Sequence, residues 1–187
     1  DASILVALTL LGALQAIDLA VAQLTSNDLL RQLLLLGSVV LLLGVLGLPF
    51  TLWRQFKLEA RFGFNRMTPG LFASDLAKGI LLSIALGAPI TAAILWLMAS
   101  AGSLWWLWAW GLWTGFNLLL MWIFPSFIAP LFNKFEPLAD ESLKSRVTRL
   151  MERCGFAAKG LFVMDGSRRS AHANAYFTGF GNSKRVV

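Results

Sequence analysis

The sequence predicts an all-α membrane bundle with four transmembrane helices, followed by the beginning of a cytoplasmic α/β domain. Three observations carry this reading. The 187-residue chain is 57% hydrophobic and only 14% charged, whereas soluble domains carry about 25% charged residues. Its charges are clustered, with none between Arg31 and Arg54 and none between Lys78 and Lys134. The second gap, roughly 55 residues, holds two spans of about 20 residues and a short turn, which no buried soluble helix explains. Beyond Pro125 the polar residues return and the pattern changes.

The first span is placed near 2–24 and contains one acid, Asp18. Its Leu, Ile and Val residues each favour insertion by about 0.3–0.6 kcal/mol, against a cost of up to about 3 kcal/mol for an acid at mid-helix. Asp18 is therefore tolerable, either facing protein or water, or reaching for the headgroups from near a helix end. The second span is placed near 33–53, where Gly44, Gly47 and Pro49 fit a membrane helix better than a soluble one. The third lies near 79–100, with a kink expected at Gly87 and Pro89. Gly102 and Ser103 supply a hairpin before the fourth, near 104–124. A cleaved signal peptide is not indicated, because the first residues offer no basic n-region; the chain reads as starting in mid-protein.

Basic residues orient the bundle. Arg54, Lys57, Arg61, Arg66 and Lys78 outnumber Glu59 and Asp75 in the loop at 54–78, and Lys134, Lys144, Arg146 and Arg149 follow the fourth span. Both segments are expected on the cytoplasmic side. The hairpin near Gly102 then lies outside, where Trp105, Trp106, Trp108 and Trp110 suit an interfacial aromatic belt. The net charge of +6 would suggest nucleic acid in a soluble protein. Here it flanks apolar runs, so the expected partner is the lipid bilayer and no nucleic acid is implied.

Residues 134–187 read as the truncated start of a soluble domain. Pro125 and Pro130 are expected to prevent one continuous helix and to favour an extended exit from the membrane. Asp140 suits an N-cap, and Leu143, Val147, Leu150, Met151 and Cys154 share one helical face over about 140–154, with Gly155 as the stop. Short strands are expected at about 160–165, 174–179 and 184–187, the last two joined through Gly181 and Asn182. Cys154 is the only cysteine, which excludes an internal disulfide and a cysteine-rich metal cluster.

No complete catalytic set is visible. His172 is the single histidine, so an H-E-x-x-H zinc helix is absent, and no G-x-S-x-G elbow or P-loop occurs. Three stretches nevertheless resemble one family in the right order: EARFGFNRMT at 59–68, IAPLFNKFEPL at 128–138, and DGSRRSAHANAYFTGF at 165–180 followed by KRVV at 184–187. Together they resemble the M48 metallopeptidases of the CAAX prenyl protease 1 type.

The resemblance implies an integral-membrane zinc metalloendopeptidase with a gluzincin-like domain. It would cleave peptide bonds near the C-terminus of prenylated or membrane-associated polypeptides. Its Zn²⁺ ligands are expected downstream of Val187, so no catalytic or metal residue is assigned in this chain, which reads as an inactive fragment. What the resemblance places here is a substrate-aligning edge at Asn174, Ala175 and Tyr176, pairing with an extended peptide by β-augmentation. His172 and Arg169 are secondary candidates. The histidine could orient a substrate group or hold the loop, and the arginine could meet a peptide carboxylate or stand solvated. A bacterial inner membrane, or the endoplasmic reticulum in a eukaryote, is the expected location. The alternatives are a non-enzymatic transporter or scaffold, favoured by Asp18, and a catalytically dead peptide-binding relative.

Overall fold

A computed structural model describes residues 6, 9–156, 158, 160–172, 174–178 and 184–187. The chain divides into two compact units, one built from 1–54 and 82–112 and the other from 55–81 and 113–187. Helices precede the strands in chain order. Helix α1 spans Ala13–Ala22 and starts after Gly12, whose φ of 73° is the left-handed conformation glycine adopts cheaply. Helices α2, Asp28–Arg61, α3, Pro69–Ser100, and α4, Gly102–Phe132, are each long and apolar enough to cross a membrane.

These helices exceed the apolar runs that announce them. At 1.5 Å per residue, the 34 residues of α2 reach about 50 Å, well beyond a hydrocarbon core of about 30 Å. Most of the segment 54–78 expected as a loop is accordingly helical, and only 62–68 connects α2 to α3. An apolar count stops at the first charge, whereas the hydrogen-bond ladder continues through Arg54, Lys57 and Arg61.

The structure also corrects the expectation at the end of α4. Pro125 and Pro130 do not force an extended exit; the helix passes both by a π-turn at Phe124–Ile128 and a last turn at Ala129–Phe132. In the π-turn, the Ala129 N–H reaches back five residues to the Phe124 carbonyl. Widening the turn absorbs the proline ring and displaces its clash with the preceding turn. Similar π-turns lie at Arg54–Leu58 in α2 and Ser83–Gly87 in α3, the latter just ahead of Pro89.

In the first unit α1 packs on α2, and the Ala88–Ser100 part of α3 also runs against α2. Asn27 caps α2 by accepting from the Leu30 N–H at 2.9 Å, with Asp28 in the first turn. Arg31, one turn in, meets Asp18 of α1 through Nε at 3.0 Å and through Nη2. Val21 and Ile90 are buried, while Trp106, Trp108 and Trp110 stand 56%, 62% and 65% exposed. Apolar side chains turned outward along helices of this length are what a lipid solvent requires.

The second unit carries the strands. β1, Phe135–Pro137, pairs antiparallel with β2, Phe162–Met164, with Glu136 opposite Val163. Between them lies α5, Glu141–Arg153, capped by Asp140 accepting from the Leu143 N–H at 2.9 Å and closed by Gly155 at φ 64°. β3, Phe177–Thr178, pairs antiparallel with β4, Arg185–Val186. A parallel bridge from Leu161 to Val186, with the Val186 N–H on the Gly160 carbonyl at 3.1 Å, joins the two ribbons. Through that bridge the described strands follow in the order β1, β2, β4, β3, with β1 and β3 at the two ends. The expected turn through Gly181 and Asn182 lies outside the described residues.

Candidate substrate-binding edge

β3 is prolonged backwards by Tyr176, which exchanges two backbone hydrogen bonds with Val187, both 2.9 Å. In an antiparallel pair such residues alternate with ones whose N–H and C=O point to the other side. Ala175 and Phe177 therefore turn their backbone groups away from β4, along an edge on which no further strand is described. Asn174 closes locally: its Oδ1 accepts from the Ala175 N–H at 2.9 Å. Asn174, Ala175, Tyr176 and Phe177 are all exposed. Tyr176 is held from behind by its hydroxyl, which donates to Met164 Sδ at 3.4 Å, and burial pushes that hydroxyl up from its ordinary pKa. Phe177 leans edge-on against Phe156, ring centres 5.5 Å apart.

The loop leading to this edge is strapped to the segment between α2 and α3. The Ala171 N–H donates to the Phe64 carbonyl at 2.9 Å and the Arg66 N–H to the Arg169 carbonyl at 3.1 Å, with Asn65 bridging Ser170. His172 lies on Phe64 with ring centres 4.0 Å apart, and its backbone N–H meets Ser170 Oγ at 3.2 Å. Asn65 Oδ1 in turn accepts from Gln55 Nε2 and the Met67 N–H, at 2.9 and 2.8 Å. Two of the stretches singled out in the sequence, 59–68 and 165–180, thus meet through backbone hydrogen bonds.

Arg169 is the hub of this region. Its Nε and Nη2 grip the two carboxylate oxygens of Asp75, at 2.9 and 3.1 Å, while Nη1 donates to Asn133 Oδ1 at 2.7 Å and Nη2 also to the Phe132 carbonyl. The carboxylate facing Arg169 is thus one from α3. The last carbonyls of a helix lack internal donors and sit at the negative end of its dipole. At the end of α4, Arg169 takes Phe132 and Lys78 takes Leu131, Nζ to O 2.9 Å. Arg185 takes a third carbonyl, that of Pro125, at 2.9 Å.

Asp165 fixes the start of β1 to the end of β2. Its N–H donates to the Lys134 carbonyl at 3.1 Å, and its Oδ1 accepts from the Lys134 N–H at 2.8 Å. Burial alone would raise its pKa, but the Lys134 N–H, the Arg168 hydrogen bond and the charges of Arg168 and Arg169 together bring it below the ordinary 3.8.

Sequence reasoning did not find Asp75, Asn133 or Arg185. The prolines near the end of α4 were a signal that backbone carbonyls would need outside donors, but nothing local names the donor. Among the described residues, no three His, Cys, Asp or Glu side chains converge to hold a metal ion. His172, packed on Phe64, has no such companions, so the zinc implied by the resemblance does not fit the described residues of this chain.

Comparison with known proteins bears on the whole length. A family model described as the CAAX prenyl protease N-terminal region, five membrane helices, matches residues 1–134, and one for Peptidase family M48 matches residues 137–187. The CAAX prenyl protease 1 homolog of Oryza sativa subsp. japonica is 44% identical over 161 residues, covering 86% of this chain and 38% of that protein. CAAX prenyl protease 1 of Saccharomyces cerevisiae is 39% identical over 160 residues, covering 84% and 35%. The crystal structure of S. mikatae Ste24p superposes with a TM-score of 0.88 at 34% identity, covering 99% of this chain and 44% of that one. The chain therefore spans well under half the length of these relatives. Its mostly helical fold is similar to that part of Ste24p, and the chain belongs to the CAAX prenyl protease branch of peptidase family M48, as part of a multi-pass membrane protein.

Proposed function

We propose that the complete protein is an integral-membrane zinc metalloendopeptidase that cuts polypeptides near their C-terminus, on prenylated or otherwise membrane-associated substrates. In this reading four spans lie in this chain, the first including α1. Residues 134–187 then begin a gluzincin-like α/β peptidase domain on the cytoplasmic side, in a bacterial inner membrane or the endoplasmic reticulum of a eukaryote. The zinc would be held by residues outside this chain; when bound, it supplies polarisation of a carbonyl and an activated water.

The observation that supports this reading is the outer edge of β3 after Asn174 and Ala175, on which no further strand lies among the described residues. An extended peptide laid antiparallel beside it would pair with the outward backbone groups of Ala175 and Phe177. The Asn174 amide now satisfies the Ala175 N–H. Turned outward, it would free that donor for the peptide while itself donating and accepting beside the scissile bond. Small Ala175 lets the peptide approach. Arg169, with its guanidinium engaged by Asp75, Asn133 and Phe132, serves the edge by holding the loop in place.

The transporter reading drew on Asp18 as an intramembrane acid. Its carboxylate is engaged in a two-point pair with Arg31, which gives it a structural role between α1 and α2. The test is chelation: the full-length protein should lose peptidase activity to a zinc chelator and regain it with zinc. Cleavage that resists the chelator would refute the assignment.

A further inference from the structure

Arg185 sits on β4, directly opposite Thr178 of β3. Its guanidinium reaches the π-turn of α4, where Nη1 donates to the Pro125 carbonyl at 2.9 Å and Nη2 to Ser126 Oγ at 3.2 Å. The group lies over the Phe162 ring, 5.3 Å from its centre, and its Nε is buried without a partner. Among the described residues no carboxylate pairs with it.

The acceptor is supplied by the helix itself. The Ala129 N–H is drawn back to Phe124, and the next donor in line would be residue 130, a proline with no N–H. The Pro125 carbonyl is thus left without a donor inside α4, a buried acceptor that must be met from elsewhere. Arg185 meets it, with the strength of a charge-assisted bond. A guanidinium without a counter-charge, and with one N–H orphaned, is a poor device for stability alone, since an apolar residue against Phe162 would avoid both costs.

We propose that Arg185 is a positioning residue. By docking on the Pro125 carbonyl and Ser126, it fixes the β3–β4 ribbon, and with it the edge at Asn174–Tyr176, to the end of α4. The inference rests on the peptidase reading for its consequence in catalysis, though not for the anchor itself. A peptide aligned on β3 inherits the placement of β4, and a displacement of about 1 Å can cost on the order of a hundredfold in rate.

The experiment uses the full-length, zinc-loaded protein with Arg185→Met, Arg185→Lys and Ser126→Ala variants. It reads KM and kcat on a farnesylated peptide ending in a CAAX sequence, bound zinc, and hydrogen exchange at the Tyr176 and Val187 amides. With Arg185→Met, KM should rise about tenfold and exchange at both amides should quicken about tenfold, with zinc content unchanged. Arg185→Lys, which keeps one charged donor, should recover part of both. Ser126→Ala should weaken the wild type and have no further effect in the Arg185→Met background. Unchanged KM and exchange in Arg185→Met, or strictly additive effects with Ser126→Ala, would overturn the proposal. Should Arg185→Met not fold, Arg185→Lys and Ser126→Ala decide by the same readouts. Absence of chelator-sensitive cleavage by the wild type would sink the peptidase reading instead, and the exchange data would still decide on the anchor.

Discussion

Arg169 and Asp75 meet side-on, Nε to Oδ2 at 2.9 Å and Nη2 to Oδ1 at 3.1 Å, although 94 residues separate them in the chain. Both side chains are largely buried, 19% and 17% exposed. The pair joins α3 to the loop that precedes the candidate edge, and Asn133 and Phe132 complete the cage around the guanidinium. Removing one member leaves the other charge poorly solvated. Asp75→Asn or Arg169→Leu should therefore destabilise the full-length protein by about 2–3 kcal/mol, between the values for exposed and fully buried pairs. Thermal unfolding in detergent measures it, and a loss within 0.5 kcal/mol (roughly the noise of surface substitutions) would contradict the clamp.

Replacing Asn174 tests the edge. Asn174→Ala in the complete protein should lower kcat/KM by about ten- to a hundredfold, equivalent to about 1.4–2.7 kcal/mol of transition-state stabilisation. Because Asn174 is exposed and, among the described residues, bonds its neighbour's N–H, thermal stability should barely change. Peptidase assays beside a melting curve separate the two effects; wild-type kinetics in the variant would remove Asn174 from the site.

Asp165 sets an acid limit on the β1–β2 ribbon. Its folded pKa lies below the ordinary 3.8, so the unfolded chain takes up the proton first as pH falls. The stabilisation is complete above the unfolded value, declines as pH drops through the window between the two, and is gone below the folded one. Melting curves of wild type and Asp165→Asn from pH 7 down to 3 should converge at the acid end, the wild type losing stability more steeply there. Parallel curves across the whole range would show that the Lys134 and Arg168 contacts do not act on the carboxylate.

Asp18 and Arg31 offer a test inside the first unit. Asp18→Asn and Arg31→Gln should each weaken the α1–α2 packing, and the double variant should cost less than their sum, by a small margin for a pair this exposed to solvent. Peptidase activity per folded molecule should be unaffected. A specific loss of activity in Asp18→Asn, at normal stability, would reopen a functional role for the acid.

Orientation is testable with Cys154, which is free and exposed at the end of α5. In full-length protein stripped of other cysteines, a membrane-impermeant maleimide should label Cys154 only from the cytoplasmic side. A cysteine placed at Ser103 should label only from the opposite side. Labelling of both from one side would reject the proposed topology.

The long apolar helices were legible in the sequence because lipid selects composition over whole segments, so charge gaps bounded by Arg54, Lys78 and Lys134 announce α2, α3 and α4 without any knowledge of packing. The α5 cap at Asp140 and stop at Gly155 were equally readable, since each depends on neighbours within a few residues. Pro125 and Pro130 defeat local rules, which say that proline ends a helix and do not include the option of a wider turn.

Composition and local pattern alone determined that this chain belongs in a membrane and that its character changes after the apolar helices, because insertion energies and caps act over one span or one turn. Tertiary structure alone decided that Asp75 answers Arg169, that Arg185 answers the carbonyl stranded before Pro130, and that Phe64 lies under His172. Those partners stand far apart in sequence, and a buried charge or orphaned carbonyl takes whichever donor the fold brings near.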